Sequence, residues 1–99
     1  MANTAEVIKL SGVFGGPQAQ EFRQKVAELV QQGTQDLLLD CAEITFIDSS
    51  GLGALVVALK TVRLASGQLY LRNVPKQMMM LLELTSMDKV FQIVSTLST

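Results

Sequence analysis

The sequence predicts an α/β fold: a mixed, largely parallel sheet of four to five strands with helices packed against it. Short β-branched or continuous apolar runs alternate with longer stretches of helical periodicity. Glycine or proline stands at most of the changeovers, at Gly15-Gly16-Pro17, Gly33, Gly67 and Pro75. The resulting order, β-α-β-α-β-α-β, calls for right-handed crossovers between parallel strands.

Each element has its own reason. Ala5 to Leu10 mixes β-branched and charged residues and reads as a half-buried strand. Ser11 to Pro17 is a glycine-rich turn, and Pro17 suits the first position of a helix. That helix, Pro17 to Gln32, sets Ala19, Phe22, Val26, Leu29 and Val30 on one face, and Gly33 stops it. Asp36 to Asp40 encloses Leu37-Leu38-Leu39, a strand covered on both faces. Cys41 to Thr45 reads as a connector, and Phe46-Ile47 as a short extended piece. A central helix runs from the serine pair to about Ala65, with Leu52, Leu55, Ala58, Leu59 and Val62 on its core face. Gln68 to Arg72 is a strand, Lys76 to Leu84 a third helix, Val90 to Val94 a last strand, and Ser95 to Thr99 a frayed tail.

Composition narrows the function. The 99 residues form one domain, 48% hydrophobic and 17% charged, with a net charge of -1. Eight scattered basic residues leave no footprint for nucleic acid. With no histidine and only Cys41, imidazole metal sites, thiolate clusters, intrachain disulfides and histidine-based triads are excluded. Cys41 reads as a small buried hydrophobe. The start of the chain lacks the charged and apolar regions of a signal peptide, and no apolar run is long enough for a membrane span. A cytoplasmic location without membrane association is expected.

The chemistry concentrates in Ile47-Asp48-Ser49-Ser50-Gly51-Leu52-Gly53-Ala54-Leu55, where a strand meets a helix. Backbone N–H groups are free at such a helix start, and an anion is tolerated there. Either serine would serve as N-cap. Gly51-Leu52-Gly53 does not complete a dinucleotide fingerprint, because Val56 stands where the third glycine belongs. A nucleophile elbow is also absent. On the far side of the central helix, Gly53, Val57, Lys60 and Leu64 form a mostly apolar stripe beginning beside Ser49. It reads either as a binding face or as a surface packed beneath another element. Met78-Met79-Met80 spreads apolar residues around the third helix, for the core or for an adaptable partner surface.

Leu37-Leu38-Leu39-Asp40, a connector, and then Phe46 to Leu55 resemble the signature of STAS domains, most closely stand-alone anti-sigma factor antagonists. The similarity covers nearly the whole chain. It implies phosphorylation of Ser49 by an anti-sigma factor with serine kinase activity, supported by Asp48, Ser50 and Gly51, and reset by a serine phosphatase. The unphosphorylated form would bind the anti-sigma factor through a face including Gly53, Val57, Lys60 and Leu64. Gly51 and Gly53 would let a partner's backbone approach. The protein itself would be no enzyme, would hold no cofactor or metal, and would be a monomer or weak dimer. A non-phosphorylated STAS subunit of a transporter-associated or scaffold complex is the alternative; a small nucleotide-binding enzyme is a third reading. The chain departs from the family in two places. Val13 to Gln18 contains no carboxylate where members usually carry one, and the leading strand of many members is expected to have no counterpart.

Overall fold

The computed structural model describes residues 5–94. The elements are β1 (Ala5–Phe14), α1 (Gly16–Gln31), β2 (Asp36–Ile47), α2 (Ser49–Leu64), β3 (Leu69–Arg72), α3 (Lys76–Leu84), a 3-10 turn (Met87–Lys89) and β4 (Gln92–Val94). The strands lie in the order β1-β2-β3-β4, and all three pairings are parallel. The expected tail from Ser95 to Thr99 lies outside the described residues.

Because strand order follows chain order, right-handed crossovers place all three helices on one face of the sheet. Leu10, Leu37, Leu39, Cys41, Leu69 and Leu71 are buried there with Phe22, Val26, Leu55, Leu59, Met78 and Leu82 from the helices. The ladder gives the opposite face in rows. Val7, Leu38, Tyr70 and Gln92 form one row, and Lys9, Asp40, Arg72 and Val94 the next. In the second row Arg72 pairs with Asp40 at 3.3 Å, and the Asn73 amide donates to the same carboxylate at 2.9 Å. The Asn73 amide, the Ala42 N–H and Arg72 together hold the Asp40 carboxyl below its ordinary range.

Two expectations about strand length are corrected. Ser11 to Phe14 is not a turn, and Cys41 to Thr45 is not a connector; both continue their strands. Lys9 pairs with Asp40 but Ser11 with Glu43, and Gly12 pairs with Ile44 but Val13 with Phe46. Thus β2 carries an extra residue at two places, and these bulges set its buried residues Cys41, Ile44 and Ile47 three apart. Gly12 takes a positive φ of 71° within this stretch, which a β-branched residue would resist. At the other end, the expected strand from Val90 shortens to Gln92–Val94, since the 3-10 turn draws the chain in and buries Phe91.

The helical faces hold with local changes. In α1, Ala19, Phe22, Val26 and Leu29 are buried. In α2, Leu52 is only half-buried and Ala54 takes its place in the core. In α3, Met78 and Leu82 are buried, whereas Met80 and Leu84 are exposed.

Cys41 sits inside this core, and burial pushes its thiol up to about 12. The native protein should therefore resist a water-soluble thiol reagent at pH 8 and react fully in denaturant. Rapid native labelling, followed by absorbance or mass, would contradict the packing described.

Candidate functional site

The last residues of β1 and β2, Phe14 and Ile47, are register partners, so α1 and α2 start side by side. Asp48 is extended (φ -112°, ψ -174°) and caps α2. Its Oδ1 accepts from the Gly51 N–H at 3.0 Å and from the Ser50 hydroxyl at 2.8 Å. Neither serine caps α2; the carboxylate does, because it reaches the third N–H of the helix while carrying a charge that favours the positive helix end. The Gly51 N–H and then the Ser50 hydroxyl hold the Asp48 carboxyl below its ordinary range.

The Ser50 hydroxyl also accepts from the Gly16 N–H at 2.9 Å, the first N–H of α1. Ser49, the first residue of α2, is exposed, and its hydroxyl makes no hydrogen bond among the described residues. Of the three side chains in the turn, two are engaged and one is free.

Glycine makes this closeness possible at two points. A Cβ on Gly51 would run into the Phe14 carbonyl oxygen and lie 2.8 Å from the Phe14 ring. Gly51 is therefore committed to its own β1 and is not open to a partner's backbone, as the sequence reading had it. A Cβ on Gly15 would collide with the Asp48 carboxylate. Gly53, by contrast, is exposed, with nothing near its would-be Cβ.

The stripe beyond Gly53 is uncovered. Val57 is 44% and Leu64 89% exposed, and Lys60 is exposed between them. A shallow apolar hollow lies at its far end, lined by Lys60, Arg63 and Leu64. No other described element packs over these residues.

Sequence reading missed Gln77. Its side-chain amide accepts from the Ile47 N–H at 3.0 Å and donates to the Ile47 carbonyl at 3.1 Å. β3 ends at Arg72, opposite Asp40, so β2 runs on with β1 on one side and no strand on the other. Gln77 from α3 supplies the missing ladder contact one residue before Asp48. Nothing local marks it, since it reads as an ordinary polar residue in a first helical turn.

A parallel sheet in chain order, three helices on one face and a carboxylate-capped serine turn define a small α/β domain with its polar centre at the α2 start. Comparison with known proteins gives the family. The chain matches the STAS domain over residues 3–99 and belongs to that family. The anti-sigma-B factor antagonist of Bacillus subtilis (strain 168) is 28% identical over 86 residues, 87% of this chain and 78% of the relative. Among solved structures, a putative anti-sigma factor antagonist from Thermotoga maritima superposes with a TM-score of 0.87 at 23% identity, covering 95% of this chain and 81% of that one. The Bacillus cell fate determinant SpoIIAA in its phosphorylated form gives 0.78 at 18% identity, covering 98% and 86%.

Two outcomes test the site. Asp40 and Asp48 both have lowered carboxyl values, so their contribution is complete above the unfolded range near pH 4 and is lost as pH falls through the folded values. The stability lost between pH 7 and pH 3 in urea titrations should be smaller in Asp48→Asn than in the wild type. Gly51→Ala should cost about 1–3 kcal/mol despite the better helix propensity of alanine, because the Phe14 carbonyl cannot yield. A gain in stability on urea unfolding would show that α2 does not seat against β1 as described.

Proposed function

We propose that this chain is an anti-sigma factor antagonist and that Ser49 is its switch. One observation carries the reading: Ser49 alone in the turn has an exposed, unpaired hydroxyl, while Asp48 and Ser50 are held. The Bacillus subtilis relative, an anti-sigma-B factor antagonist, and a phosphorylated form of SpoIIAA among the structural neighbours support it. The partners are an anti-sigma factor with serine kinase activity, which supplies Mg²⁺ and ATP, and a serine phosphatase that reverses the modification. The protein acts in the cytoplasm as a monomer or weak dimer.

The physics places the switch at an interface. A phosphoserine adds about -1.5 to -2 charge. At the α2 start it gains roughly 0.3–1 kcal/mol from the helix dipole. Repulsion from the neighbouring Asp48 opposes that gain, so the fold changes little. Docking the dianion against a partner that was bound to a neutral serine is another matter, because it must be desolvated without a counter-charge. A cost of about 4 kcal/mol would lower affinity almost a thousandfold. The exposed stripe of Gly53, Val57, Lys60 and Leu64 leads away from Ser49 and forms the docking face.

The alternatives fit less well. A purely structural STAS subunit needs no free hydroxyl at a capped helix start. A nucleotide-binding enzyme of this class uses the crevice where strand order reverses, and the order β1-β2-β3-β4 has no reversal.

The test is incubation of the purified protein with extract of its host and Mg-ATP, followed by intact mass and site mapping. One added phosphate on Ser49, absent in Ser49→Ala, is expected, with melting temperature shifted by only a few degrees. No phosphate from an extract that modifies other proteins would favour the structural subunit. Phosphate on Ser50 would overturn the residue assignment.

A further inference from the structure

The side-chain cap of α2 does not need Ser50, because the Asp48 carboxylate takes the Gly51 N–H. The Ser50 hydroxyl does something else. It donates to Asp48 Oδ1 at 2.8 Å and accepts from the Gly16 N–H at 2.9 Å, a residue 34 positions earlier. At the α1 start the Gln18 and Ala19 N–H groups turn back to the Gly15 carbonyl, and Pro17 has none. Gly16 is therefore the N–H by which α1 is fastened to the turn. The Asp48 N–H contributes a longer contact to the Phe14 carbonyl at 3.4 Å. Gly15 leaves room for the carboxylate between the two helix starts.

We propose that Ser50 is a positioning residue for modification of Ser49, locking the start of α1 to the Asp48 carboxylate so that the neighbouring Ser49 hydroxyl stays unpaired on a backbone held in place. This rests on reading Ser49 as the acceptor. In the transfer, Ser49 Oγ forms a bond to the γ-phosphorus of ATP held by the kinase as the bond to ADP breaks. The hydroxyl proton passes to a base of the kinase. Such a step depends on in-line alignment of the attacking oxygen. Without the Ser50 hydroxyl, Asp48 Oδ1 loses one of its two donors and is free to accept from another. Gly16 loses its partner, and the two helix starts are no longer joined side chain to backbone. Ser50 and Gly16 are both exposed, so water can replace the lost bonds and the fold persists.

The experiment compares wild type, Ser50→Ala, Ser50→Thr and Ser49→Ala as substrates for one Ser49-labelling fraction of host extract with Mg-ATP, at varied substrate concentration. For Ser50→Ala, kcat should fall at least about tenfold, the scale expected of a misplaced reacting group, with KM within about twofold. Ser50→Thr, which keeps the hydroxyl, should recover most of kcat. A wild-type kcat in Ser50→Ala, a loss confined to KM, or no recovery in Ser50→Thr would each overturn the proposal. Amide exchange in the unmodified wild-type protein gives a check that needs no variant: the Gly16 N–H should be protected, and free exchange would refute the lock. If wild type takes no label on Ser49, the acceptor reading itself fails; if it does and Ser50→Ala behaves normally, only the role of Ser50 fails.

Discussion

The parallel ladder between β1 and β2 is the constraint from which the rest follows. It runs from Ala5 opposite Asp36 to Phe14 opposite Ile47. Two parallel neighbours that end level must deliver their following helices side by side, with both positive ends at the same edge of the sheet. Both extra residues of the ladder fall on β2. Without them the two strands would end out of step, and the starts of α1 and α2 would not meet. The bulges are thus part of how the serine turn is placed.

Within that frame the turn divides its labour. Asp48 closes α2, and Ser50 joins α2 to α1. Gln77 finishes the free edge of β2 at Ile47, so the strand is held on the side that β3 does not reach. Gly51 lets the helix seat directly on the Phe14 carbonyl. What remains is one hydroxyl on a rigid mount, with an open apolar and basic stripe running from it along α2. A rigid mount would suit the proposed modification of Ser49 by another enzyme, because little ordering is left for the moment of binding.

The helices were legible because their apolar spacing is regular: Ala19, Phe22, Val26 and Leu29 are an uninterrupted face. The strand-to-helix turn that holds the candidate site was legible too, since Asp-Ser-Ser-Gly stands between an apolar run and a helical one. The upper half of β2 was not. Its inward residues Cys41, Ile44 and Ile47 are spaced by three, so the alternation that marks a strand is broken by the bulges themselves. The cap was misassigned between neighbours for a similar reason: aspartate and serine are both good caps, and the choice depends on which one turns extended. Gln77 and the Gly16 contact are tertiary, 30 and 34 residues from their partners, and local pattern carries no trace of them.

The unbroken strand order also bears on how the chain assembles. Each strand pairs with the one made just before it, so the sheet grows at a single edge in the order of synthesis. No crossover skips a neighbour, and each loop closure spans about one helix, which limits its entropic cost. The ladder of β1 and β2 can form once the first half of the chain has emerged. The short β3 and β4 add to the open edge of that ladder, and the serine turn is completed when α3 brings Gln77 to Ile47.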